Sequence, residues 1–189
     1  MDFKELNPPL NRTLFFTEQV DQKSIAKLSE SIIRINKADE ELQKQLSLYD
    51  ITYEPKPIEI YIDSYGGLVY QCFGLLSIME RSKAPIHTIV TGCAMSCGFM
   101  ILISGHKRYA HRLSTPLYHQ VSSGAYGQLK GIEESVIETQ RLQGILENET
   151  LEKTKISKKK LKEIFEKKID WYMSAKEALT LGVVDEILK

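Results

Sequence analysis

The sequence predicts an α/β protein whose sheet is largely parallel, and three observations carry that expectation. Ile58, Ile60 and Ile62 alternate with Glu59, Tyr61 and Asp63, the period of a half-buried strand. Between Arg12 and Ile103, segments of strand character take turns with segments of helical period: strand, helix, strand, helix, strand, helix. Strands separated by helices pair in parallel through crossover connections. Small residues fall where strand gives way to helix, at Gly66-Gly67 and again across Gly92 to Gly98.

In chain order, Pro8-Pro9 sets off a short leader from Arg12-Thr13-Leu14-Phe15-Phe16, a first strand. Asp21 caps a helix whose buried face is Ile25, Leu28, Ile32 and Ile35, spaced by three and four residues. Lys37 to Tyr53 is polar and breaks that rhythm, reading as a helix extension and then a loop. After the strand Ile58–Ile62, Ser64-Tyr65-Gly66-Gly67 turns into a helix, Leu68 to Arg81, buried through Cys72, Leu75, Leu76 and Met79. Ile86 to Thr91 is the next strand, and Phe99 to Ile103 an apolar helix. Tyr109-Ala110 and Leu117-Tyr118 are short strands; Gln120 to Gln128 is a loop or an exposed edge strand, too rich in small residues to pack a core. Lys130 to about Lys155 is a long helix with Ile132, Val136, Ile137, Leu142, Ile145 and Leu146 on its apolar side. Ser157 to Lys167 is a further helix, Ser174 and Glu177 form a capping box over Ala175 to Leu181, Gly182 stops that helix, and Val183 to Leu188 is a last strand.

The 189 residues suffice for one domain with a real core, spanning 1–189 with residues 1–11 as a leader. Lysine plus arginine and aspartate plus glutamate stand at 25 each, so no overall charge draws the chain to nucleic acid or to an anionic membrane. The lysines from Lys153 to Lys168 alternate with glutamates and hold one aromatic, Phe165, among them, which reads as a solvated helix face. Cys72, Cys93 and Cys97 are an odd number in apolar or small-residue surroundings, arguing against a disulfide scaffold and for a reducing compartment. Cys93 and Cys97 lack the paired two-residue spacing of a zinc site, so no metal is expected. The N-terminus has no signal-peptide core and Phe99–Ile103 is too short to span a bilayer; a cytoplasmic protein is expected.

Four places are candidates for chemistry. Ser96 lies at a strand-to-helix corner, where a hydroxyl sits beside backbone N–H groups that have no partner inside the helix. It is either an activated nucleophile with an oxyanion site alongside or simply the cap of a buried helix. Gly66-Gly67 is either an ordinary βα turn or a place of close backbone approach. Taken singly, His119 reads as a core histidine and Asp170 as a surface or capping carboxylate.

Together, and in this order, these segments resemble the ClpP family of Clp protease proteolytic subunits, from about Arg12 to Leu188. The matching stretches are Asp63-Ser64-Tyr65-Gly66-Gly67, Gly92-Cys93-Ala94-Met95-Ser96-Cys97-Gly98, His119-Gln120 and Asp170-Trp171-Tyr172-Met173-Ser174-Ala175-Lys176-Glu177-Ala178. The resemblance implies a serine endopeptidase with Ser96 as nucleophile, His119 as general base and Asp170 orienting it, and with the N–H groups of Gly67 and Cys97 as the oxyanion hole. It implies substrate contacts at Gly66, Leu68, Gly124, Ala125 and Tyr126. It also implies the ClpP/crotonase-like fold of stacked βαβ units, with residues 120–155 as a protruding handle: a strand at Gln120–Gln128 and the long helix after it. Heptameric rings, a double ring enclosing a chamber, and an AAA+ unfoldase that feeds it unfolded polypeptide follow from the same resemblance. No cofactor is implied, and the chain has no phosphate-binding loop, so ATP belongs to the unfoldase.

The sequence departs from the family at several positions. Tyr65 and Val121 stand where proline is usual and Cys97 where methionine is. Glu59 and Arg81 replace aromatic residues of the unfoldase groove, of which Tyr61 remains, so that docking surface is atypical. Lys168-Ile169 replaces an acidic-basic pair linked to contact between rings, and residues 37–57 form a longer segment than usual. Two other classes remain as alternatives: a catalytically idle ring subunit, and a crotonase-type acyl-CoA enzyme, which shares the oxyanion geometry without needing the triad. A signal-peptide peptidase with a Ser/Lys dyad is a weaker relative, disfavoured by the missing membrane anchor.

Overall fold

The computed structural model describes residues 10–189, so the leader expected at 1–11 lies outside the described residues except for Leu10 and Asn11. Seven strands and six helices follow: β1 (Thr13–Phe16), α1 (Gln22–Ser47), β2 (Ile58–Ser64), α2 (Val69–Glu80), β3 (Ile86–Met95), α3 (Cys97–Ile103), β4 (Lys107–His111), β5 (Thr115–Tyr118), α4 (Leu129–Lys153), α5 (Lys158–Lys167), β6 (Trp171–Tyr172), α6 (Ala175–Thr180) and β7 (Glu186–Leu188). Strands β1, β2, β3, β4 and β7 lie side by side, all parallel, as the alternation of strands and helices predicts.

One face of the sheet supplies the core. Ile58, Ile60 and Ile62 of β2 are fully buried, as are Ile86 and Val90 of β3, while Glu59 and Tyr61 stay partly exposed between them. Helix α1 seals its edge of this core with the Ile25, Leu28, Ile32 and Ile35 stripe, and Asp21 with Ser24 closes its capping box. Helix α3 is buried throughout, which is why its sequence shows no polar face.

Helix α1 runs unbroken for 26 residues, so the polar stretch after Lys37 is indeed its extension, and Leu48 to Pro57 forms the loop. That loop is fastened by a buried carboxylate. Asp39 pairs with the Arg12 guanidinium and accepts from the Tyr53 hydroxyl at 2.8 Å, and Arg12 also donates to the Lys56 carbonyl at 2.7 Å. Three departures from expectation matter. Strand β3 continues four residues past Thr91, because β5 offers it a second partner. Gln120 to Gly127 is the loop of the two readings and not the strand the resemblance implies, since a strand needs a neighbour and none pairs with it among the described residues. Val183 and Val184 are buried in a turn, leaving only Glu186–Leu188 as strand. On α4, Leu142 and Leu146 are buried but Val136 and Ile137 are exposed, so the helix packs by its C-terminal half alone.

Candidate active site

Strand β3 has two different neighbours on one edge. His87 to Val90 pair with β4, whereas Cys93 to Met95 pair with β5, which in turn takes β6 antiparallel. The ends of β3, β5 and β6 therefore lie next to one another. Met95 faces Leu117, and Tyr118 faces Trp171; one residue further along, Ser96, His119 and Asp170 emerge at the same place. A switch in neighbours along one strand opens a crevice at the carboxyl end of the sheet, where α/β proteins commonly place their chemistry.

The strand is bent to reach this point. Its pairing with β2 shifts between Ile62 and Ser64, so that Ser64 meets Ala94. Asp63 fills the bulge and accepts the Cys93 N–H at 2.9 Å; a side chain on Gly92 would strike that carboxylate. Burial and the same carboxylate push the Cys93 thiol up to about 11.

Ser96 has φ 54° and ψ −119°, a conformation L-residues rarely adopt. Its N–H donates to the Leu117 carbonyl at 3.1 Å, which pins the corner to β5. Ser96 occupies the cap position of α3, yet its hydroxyl makes no capping bond. The plain cap reading thus fails, and the hydroxyl is left for other work. Ser96 and His119 line one pocket of about 50 Å³, together with Gly67, Val69, Cys97, Met100, Tyr118 and Leu146. No hydrogen bond joins Ser96 to His119 in this state; His119 Nδ1 meets Asp170 Oδ1 at 3.1 Å.

Gly67 sits across the pocket on a turn held by β-type bonds to Val20, whose N–H donates to Gly66 at 2.8 Å and whose carbonyl accepts from Leu68 at 2.7 Å. With φ 151°, and with the Val20 carbonyl 2.3 Å from where a Cβ would be, position 67 admits glycine alone. Among the described residues, no carbonyl or carboxylate accepts from the N–H of Gly67 or of Cys97. Amides without an oxygen acceptor at a pocket wall can receive a developing oxyanion.

Of the other residues expected at the site, Gly66 packs under the corner: a Cβ there would lie 2.8 Å from the Ser96 Cβ. Leu68 is exposed at the head of α2. Gly124, Ala125 and Tyr126 are exposed on the segment beyond His119 and do not line the pocket; Gln120, Val121 and Ser122 do. The remaining walls, Val69, Met100, Tyr118 and Leu146, escaped sequence reasoning because each reads as ordinary core at helix or strand spacing. Among the described residues no cluster of three potential metal ligands occurs, and no helix is long and apolar enough to cross a membrane.

Comparison with known proteins gives one consistent result. Residues 11–189 match the model of the Clp protease family. A Bacteroides fragilis protein named ATP-dependent Clp protease proteolytic subunit is 35% identical over 149 residues, covering 78% of this chain and 71% of its own. One of the same name from Deinococcus radiodurans is 34% identical over 146 residues, 76% and 71% of the two chains. The ATP-dependent Clp protease proteolytic subunit 1 of Prochlorococcus marinus is 31% identical over 179 residues, 94% of this chain and 84% of that one.

Proposed function

Since the chain belongs to the Clp protease family and is a Clp-type peptidase, we propose that it hydrolyses peptide bonds with Ser96 as nucleophile, His119 as general base and Asp170 as the group orienting the imidazole. The convergence of the β3 and β5 ends on one pocket, with Asp170 before β6 meeting His119 from the adjoining side, supports this most directly.

A serine hydroxyl is a weak nucleophile until a neighbouring base takes its proton. His119 would accept that proton at Nε2, because Nδ1 is engaged by Asp170. The attacked carbonyl gains negative charge, and the amides of Gly67 and Cys97 would receive it; each such donor is worth about 10²–10³ in rate. The imidazolium then returns its proton to the departing amine, and water repeats the sequence to free the acyl group from Ser96. The pocket walls of Val69, Met100 and Leu146 suit a modest apolar side chain on the acyl side of the bond. Gln120 to Gly127, with no strand paired to it among the described residues, can receive an extended peptide by main-chain pairing, which tolerates many sequences. Residues 120–155 are then the handle, and rings of seven, stacked in pairs and supplied by an AAA+ unfoldase, are the assembly in which the site would work. The idle-subunit and acyl-CoA readings are not favoured.

The test is hydrolysis of a fluorogenic peptide by the wild type and by Ser96→Ala, with the particle sized in both. Wild-type turnover with a loss of about 10⁴-fold or more in the variant, at unchanged particle size, is the expected result. Undiminished turnover by Ser96→Ala would end the assignment, and a fluorophosphonate should label the wild type at Ser96 only.

A further inference from the structure

Two cysteines meet behind this pocket. Cys72, on the first turn of α2, and Cys97, the first residue of α3, are both buried and both free. The Cys72 thiol lies against Cys97 itself: it donates to the Cys97 carbonyl oxygen, 3.6 Å from its sulfur, and each thiol shifts the titration of the other. Cys97 also lines the pocket that holds Ser96 and His119, and its thiol donates to the Gly67 carbonyl at 3.2 Å. Its sulfur therefore touches the turn that carries one oxyanion amide and belongs to the residue that carries the other.

We infer that Cys72 and Cys97 form a reversible disulfide that disables the peptidase site, resting on the serine-peptidase reading above. Hydrogen peroxide reaching the pocket meets Cys97 first. The Cys97 sulfur attacks one peroxide oxygen, the O–O bond breaks, and a sulfenic acid forms with release of water. The Cys72 sulfur then attacks the Cys97 sulfur, the S–O bond breaks, and a second water leaves. Two thiols are oxidised by two electrons, and one peroxide is reduced to two waters. The two sulfurs differ in the way such a pair requires. The Cys72 hydrogen bond, and then the Gly67 N–H and Ser96 hydroxyl, favour the Cys97 thiolate against the cost of burial, so Cys97 titrates below an ordinary thiol. Cys72 is pushed well up, by its bond to Cys97 first and by burial second, so it resolves rather than attacks.

The bond would act on catalysis through position. A disulfide holds its sulfurs at about 2 Å, closer than two thiols in van der Waals contact by more than about 1 Å. Closing that gap draws the head of α3 toward α2 and removes the hydrogen the Gly67 carbonyl accepts. Both oxyanion amides then shift relative to Ser96. Cys93, whose N–H donates to Asp63 and whose titration no other thiol shifts, serves as an internal reference.

The experiment treats the wild-type particle and Cys72→Ala with hydrogen peroxide, then blocks remaining thiols with N-ethylmaleimide after denaturation. Tandem mass spectrometry counts and places the labels. The wild type should keep one label, on Cys93, and lose peptide hydrolysis about tenfold or more, with label count and rate both restored by dithiothreitol. Cys72→Ala should keep its basal rate and form no disulfide; Cys72→Ser replaces it if the alanine variant does not fold. Three labels on the oxidised wild type, a sulfinic acid at Cys97 without a disulfide, or a disulfide that leaves the rate intact would each overturn the inference. Absence of hydrolysis by the reduced wild type would count against the peptidase reading instead, and the label map would still judge the pair.

Discussion

At the scale of the residue, the site depends on backbone positions as much as on side chains. Ser96 is held at positive φ, Gly67 cannot carry a side chain, and Gly92 makes room for the Asp63 carboxylate. The His119–Asp170 contact is more open than its role suggests, with side chains 29% and 60% exposed. Water can then replace part of what the carboxylate supplies, whereas losing a buried aspartate in such a triad costs about 10⁴ in kcat. Asp170→Asn is accordingly expected to lower kcat by a smaller factor, about 10²–10³, with little change in KM. Steady-state kinetics on the same fluorogenic peptide checks this, and an unchanged kcat would remove Asp170 from the mechanism.

At the scale of the element, α4 is held in two ways. Its C-terminal half packs into the core, while its N-terminal half is braced to α2 through a polar link. The Tyr70 hydroxyl donates to Glu138, and Arg141 binds the same carboxylate at 2.7 and 2.8 Å. Arg141, and then Tyr70, hold the Glu138 carboxyl down at about 2. A carboxyl depressed in the folded state adds to stability above the ordinary glutamate range, and that contribution disappears as the pH falls toward 2. The brace is therefore expected to be intact at pH 4 and to fail near pH 2. In Arg141→Ala, a carboxyl-carbon NMR titration should show the Glu138 midpoint moving up toward the ordinary glutamate range. A midpoint that stays put would mean that Arg141 does not hold the charge.

At the scale of the whole molecule, apolar surface remains uncovered in two regions. Phe15 is exposed at the β1 edge and stacks on the half-buried Tyr61 of β2, their rings 5.5 Å apart. Tyr126, Leu129, Val136 and Ile137 are exposed along the start of α4 and the segment before it. Large exposed apolar residues in clusters mark surfaces that other chains cover. The proposed ring assembly predicts a particle many times the mass of the 21.6 kDa chain. Light scattering after size exclusion measures this, and Ile137→Glu, at an exposed apolar position of α4, should at least halve the mass. A monomeric wild type at working concentration would contradict the prediction.

Much of this was legible along the chain. Alternating isoleucines at 58, 60 and 62, the stripe at 25, 28, 32 and 35, and the capping box at Ser174 and Glu177 act over a few residues, where strand period, helix period and capping chemistry leave one solution. The four motifs carrying the family resemblance lie in the sequence as well. What folding alone decided is long-range. The extension of β3 to Met95, the pocket walls at Met100 and Leu146, the clip from Asp39 to Arg12 and Tyr53, and the meeting of Cys72 with Cys97 all join segments far apart in sequence. Local pattern specifies which face of an element is apolar; which other element will cover it is set by the packing of the whole sheet.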